Sequence, residues 1–128
     1  WTAEMLTDAV MARKGVANKS AEFMANYDLL LTPTLTVPAF PVHIQGVEKI
    51  DGQIVHPFQW LSFTLPFNMT GQPAASVPAG FTKSGLPVGL QIVGRHLDDP
   101  AVMRACANFE KARPWADKWP ALLDEMGL

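Results

Sequence analysis

Eleven prolines stand in 128 residues, and the first of them is at position 33. A proline inside a helix removes a hydrogen bond and clashes with the preceding turn, so long helices are confined to stretches that lack it. Residues 2 to 26 form one such stretch, rich in Ala, Met, Lys, Glu and Arg, and predict a single long helix. Thr2 is placed to cap it and Glu4 to favour its first turn, while Gly15 is a weak point costing about 1 kcal/mol relative to alanine. Met5, Ala9, Ala12, Val16, Phe23 and Tyr27 recur on one face. A second helix is predicted from Asp98 or Asp99, with Pro100 in its first turn, an apolar stripe of Val102, Ala105, Cys106 and Phe109, and Lys111 and Arg113 before Pro114 stops it.

Between these helices the prolines mark shorter elements. Leu29 to Thr32 is a short apolar run ended by Pro33, and it suits a strand buried on both faces as in a parallel sheet. Asp51-Gly52 is a turn dipeptide that predicts a small hairpin between Val47–Ile50 and Gln53–Val55 inside an otherwise irregular segment from 33 to 57. Pro57 opens a predicted helix through Phe58, Trp60, Leu61, Phe63 and Thr64 as far as Pro66, followed by a turn over 68–73. Ala74 to Pro78 and Val88 to Val93 read as strands around a turn at 80–87. In the last of these, Val88, Leu90 and Ile92 face one side, and Gly89, Gln91 and Val93 the other. The expectation is one α/β domain over 1–128, its three strands in one sheet and the helices at 2–26 and 99–112 packed on it. Residues 114–128, with Trp115, Trp119 and Pro120, read as an irregular tail.

Composition narrows the function classes. A hydrophobic share of 48%, a charged share of 17% and a net charge of -2 describe a globular chain, with no basic patch for nucleic acid. The apolar runs fall short of the roughly 20 residues that cross a bilayer, and the N-terminus has no charged segment followed by an apolar one, so a soluble, cytoplasmic protein is expected. Cys106 is alone and reads as a small buried hydrophobe. His43, His56 and His96 have no second histidine or carboxylate at ligand spacing, which makes them surface or loop residues and leaves no metal or cofactor in the expectation. The chain opens on Trp1 and already carries helical patterning there, which reads as a cut.

Three segments carry a resemblance. Tyr27-Asp28-Leu29-Leu30-Leu31-Thr32-Pro33-Thr34, then Pro66 to Gly80 (PFNMTGQPAASVPAG), then Leu86 to Gly94 (LPVGLQIVG) together resemble, in order, the C-terminal third of the amidase-signature hydrolases. The resemblance extends through the helix that begins at Asp98–Asp99 and covers nearly the whole chain. It implies a mixed sheet flanked by helices in an enzyme that cleaves carboxamides. It further implies a serine nucleophile activated through a second serine, joined by a cis peptide bond, and a lysine base, with the oxyanion held by a glycine- and serine-rich loop. None of Ser20, Ser62, Ser76 and Ser84 stands in such a loop. The catalytic residues are therefore expected upstream of Trp1, in a segment of the same parent chain that would be this chain's partner, and no catalytic residue is assigned here.

The stretch after Pro57 is the candidate for contact with substrate. As a helix it carries Phe58, Leu61 and Leu65 on one face and Trp60, Phe63, Thr64 and Phe67 on another, with no charge. Either this is plain core, or Trp60, Phe63, Thr64 and Phe67 line a pocket for a small-molecule amide. Glutamine-hydrolysing members of the family place an acidic residue shortly before the proline matching Pro66; residues 57–66 have none, which favours an apolar or aryl amide. Gln91 either reaches a ligand or satisfies a neighbouring backbone group, and Asn68 and Gly71 are expected to supply turn geometry. A small hydrolase built on Ser76 or Cys106 is the weakest reading, because neither has a base nearby in sequence. A chain with so aromatic a helix is also expected to self-associate, most simply as a homodimer, or to rearrange residues 35–73 so that the aromatics are hidden; the alternative function is a noncatalytic fragment acting only through self-association or partner binding.

Overall fold

A computed structural model describes residues 1–118. Helix α1 spans Ala3–Met24, and the Thr2 hydroxyl caps it by accepting from the Met5 N–H at 3.2 Å. Its last turn carries no basic residue of its own. Arg95 supplies the positive charge instead: its Nε donates to the Met24 carbonyl at 3.1 Å, and its Nη2 meets Asp28 Oδ1 at 2.9 Å.

Strand β1 (Leu30–Pro33) follows, then a hairpin of β2 (Lys49–Ile50) and β3 (Gln53–Ile54). Asp51 and Gly52 both take positive φ, 49° and 76°, the geometry that a two-residue hairpin of this kind requires. Strands β4 (Ala74–Phe81) and β5 (Pro87–Val93) complete a three-stranded sheet in the order β1-β5-β4, antiparallel throughout. The three predicted strands thus share one sheet. β4 runs past Pro78 by way of a bulge at Pro78/Gly80, which an edge strand tolerates because the missing N–H is not needed by a second neighbour.

β5 is the strand covered on both faces, with Gln91, Ile92 and Val93 all buried. The expectation that Leu29 to Thr32 is buried on both sides in a parallel pairing is corrected: β1 is an antiparallel edge strand, and Leu31 is 57% exposed. A short apolar run shows that a strand meets a core, and leaves open how many neighbours it has.

Helix α3 (Asp99–Ala112) is capped by Asp98, which accepts from the Ala101 N–H, and it packs Val102 into a core with Val77 and Ile92. Ala105, Cys106 and Phe109 extend that contact, and Trp115 joins it beside Phe109. Trp119 and Pro120 lie outside the described residues.

The segment after Pro57 departs most from expectation. In place of one helix from Pro57 to Pro66, a 3-10 turn covers Gln59–Leu61, and α2 runs from Leu65 to Thr70, into the first half of the stretch expected to be a turn. Pro66 lies in the first turn of α2, where a missing N–H costs nothing, so it starts a helix rather than ending one. Asn68 is helical, and the turn geometry falls to Gly71 alone, with φ 72°.

The layers follow. α3 covers the sheet face carrying Val77 and Ile92, and the segment from Phe63 to Asn68 lies over the opposite face. The expectation that α1 packs on the sheet is corrected too: it lies chiefly against α2. Gln72 ties these layers together, accepting from the Ser20 and Thr70 hydroxyls and donating to the Gly94 carbonyl.

Candidate functional site

The sheet face beneath α2 carries a row of polar side chains. Strand pairing sets Thr32, Gln91 and Ser76 abreast, since Thr32 pairs with Gln91 and Gln91 with Ser76. Thr34, two residues beyond Thr32, continues the row, its N–H donating to the Gly89 carbonyl at 3.0 Å. The Thr34 and Ser76 hydroxyls meet at 2.6 Å. Gln91 Nε2 donates to Thr32 Oγ1 at 2.9 Å and to the Phe63 carbonyl at 2.8 Å, so this residue, 4% exposed, does satisfy a neighbouring backbone group.

A cleft of ≈ 280 Å³ opens over this row, with Thr34, Ser76 and Gln91 below and Thr64, Phe67 and Asn68 of the α2 segment above. A second groove of ≈ 570 Å³ is lined by Thr34 and Ser76 together with Leu35–Ala39, Pro78 and Pro87–Gly89, and it is mainly apolar. Thr34 and Ser76 therefore line both spaces.

Of the four residues singled out from the sequence, the fold brings Thr64 and Phe67 to the cleft. Trp60 is half-buried and packs edge-on against Phe40 at 5.3 Å, and its carbonyl accepts from the Thr36 N–H. Phe63 contributes its carbonyl, which holds Gln91. The site residues that sequence reasoning passes over are Thr34 and Gly89, and Ser76 enters it only as a nucleophile. The signal is the face of β5 opposite Val88, Leu90 and Ile92, which is small and polar at Gly89 and Gln91.

Among the described residues no lysine, histidine or carboxylate lines the cleft, and Ser76 has Thr34 as its hydroxyl partner, so Ser76 has no base there. Cys106 lies on the far side of the sheet, packed against the α3 core. His43, His56 and His96 are exposed or nearly so. Among the described residues no three His, Cys, Asp or Glu side chains gather as a metal site, and no helix is long and apolar enough to cross a membrane.

Residues 2–103 match the family model described as Amidase. The chain belongs to the amidase family. Within that family it is 50% identical over 101 residues to an acylamidase of Rhodococcus erythropolis, covering 77% of this chain and 21% of that relative. It is 40% identical over 110 residues to a glutamyl-tRNA(Gln) amidotransferase component of Pseudothermotoga lettingae, covering 84% and 21%. Among solved amidase-family structures, a bacterial aryl acylamidase superposes with a TM-score of 0.79 at 32% identity, over 91% of this chain and 24% of that one. A 6-aminohexanoate cyclic dimer hydrolase gives 0.81 at 31%, over 95% and 27%. The chain thus spans about a fifth of the length of its curated relatives and a quarter of the solved ones.

Proposed function

We propose that these residues form the C-terminal part of an amidase domain that hydrolyses a carboxamide C–N bond. They contribute three sheet strands and one wall of the substrate pocket, with Thr64 and Phe67 at the cleft and Trp60 and Phe63 behind it. The observation that carries the reading is the cleft itself: an uncharged space over a row of hydroxyl and amide groups, in a chain half identical to an acylamidase. The nucleophilic serine, the second serine of the cis peptide and the lysine base implied by the family would come from the upstream segment of the parent chain. Attack by serine needs a base in hydrogen-bond reach and donors for the oxyanion, and the cleft residues described here supply no base.

The uncharged lining also bears on the substrate. A glutamine α-ammonium entering such a space would lose its hydration with no carboxylate to meet it, so an apolar or aryl amide fits this wall better.

The test is turnover. Purified by itself, the chain should leave 4′-nitroacetanilide unhydrolysed above background, and joining it to the upstream segment should produce hydrolysis. Turnover by the isolated chain that survives repurification and disappears in Ser76→Ala would overturn the proposal.

A further inference from the structure

The hydrogen-bond inventory of the cleft leaves two groups unspent. Two hydroxyls in contact use one hydrogen between them, so the Thr34–Ser76 pair keeps one O–H to donate. Gln91 spends its amide nitrogen on Thr32 Oγ1 and the Phe63 carbonyl; because that carbonyl only accepts, the nitrogen must face it, and Oε1 is left to accept. Ser76 and Gln91 are register partners, which sets their Cβ atoms about 5 Å apart on one face. A free donor and a free acceptor on one face are the partners that the C=O and N–H of a carboxamide require.

Gly89 shows that the arrangement needs its space. A Cβ there would lie 2.5 Å from Ser76 Oγ and 2.6 Å from Thr34 Oγ1, so any larger residue would push the pair apart.

We infer that the Thr34–Ser76 hydroxyl pair and Gln91 form a recognition subsite for an amide group of the ligand, whose apolar arm occupies the proline-lined groove that Thr34 and Ser76 also line. The inference rests on the amidase reading above in taking that ligand to be the substrate. The subsite binds and orients, and it carries no nucleophile or base.

The decisive experiment uses the full-length chain carrying these residues, with 4′-nitroacetanilide as substrate. The double variant Thr34→Val/Ser76→Ala should raise KM about three- to tenfold and hold kcat within about twofold, since it removes binding shared by ground and transition states. Ser76→Thr, which keeps a hydroxyl, should restore KM. An unchanged KM in the double variant overturns the inference, and so does a joint fall of kcat and melting temperature, which marks a structural role. Should the unsubstituted protein hydrolyse no amide at all, the amidase reading fails by itself, and binding of acetanilide then decides the subsite. Amide NMR shifts at Ser76 and Gln91 that vanish in the double variant uphold it; their absence in the unsubstituted protein overturns it.

Discussion

Gly89 and Gly71 are both required in this fold, for opposite reasons. Gly89 has ordinary backbone geometry and lacks room, whereas Gly71 has room, with His96 no nearer than 3.6 Å to a would-be Cβ, and a left-handed φ of 72°. Gly89→Ala should therefore destabilise by about 1–3 kcal/mol through overpacking, and Gly71→Ala by about 1 kcal/mol through backbone strain, both read from urea denaturation midpoints. Gln72 is a third sensitive position, since Gln72→Leu strands the Gly94 carbonyl and the Ser20 and Thr70 hydroxyls; a loss of about 2–3 kcal/mol is expected in the same measurement. That Gln91 lies on the polar face of its strand is legible in the sequence, because alternation along Val88 to Val93 is enough for that. The touching of Thr34 and Ser76 is not, because their contact depends on two separate pairings with β5.

Elements with strong end signals are readable from sequence. Thr2 and Asp98 cap α1 and α3 where expected, and Asp51-Gly52 turns its hairpin. Gly15 is the exception inside α1: nothing lies within 4 Å of a Cβ there, so Gly15→Ala should stabilise by up to about 1 kcal/mol, raising the thermal midpoint by a few degrees. Residues 57 to 71 mislead because Pro57 and Pro66 fit either a helix between them or a helix begun by the second. Packing decides it. The 3-10 turn lets Trp60 reach Phe40 and the Phe63 carbonyl reach Gln91.

At the scale of the molecule, the apolar surface left in solvent lies elsewhere than the sequence suggests. Trp60, Phe63 and Phe67 are at least partly covered, while Met5, Leu6, Val10, Met11 and Phe23 on α1 are between 46% and 65% exposed. The stripe through Met5, Val16 and Phe23 is a real pattern, but it is largely exposed to solvent, with Phe23 packed against the Tyr27 ring. We therefore expect the isolated chain to self-associate through α1, and Leu6→Lys/Val10→Lys to shift its sedimentation towards monomer. Hydrophobic-dye binding should fall with it, and an unsubstituted chain that sediments as a compact, dye-free monomer would refute this. The length mismatch between the two helices has a dynamic consequence. α1 is 22 residues and α2 is 6; Arg13 of α1 donates to the Met69 carbonyl, and residues 3 to 12 before it are all exposed. Residues 3 to 12 thus form about three helical turns held by little besides their own backbone, and they fray from their free end. In monomeric, dilute conditions their amide hydrogens should exchange with deuterium well before those of residues 20 to 24, which stay protected while α1 remains docked.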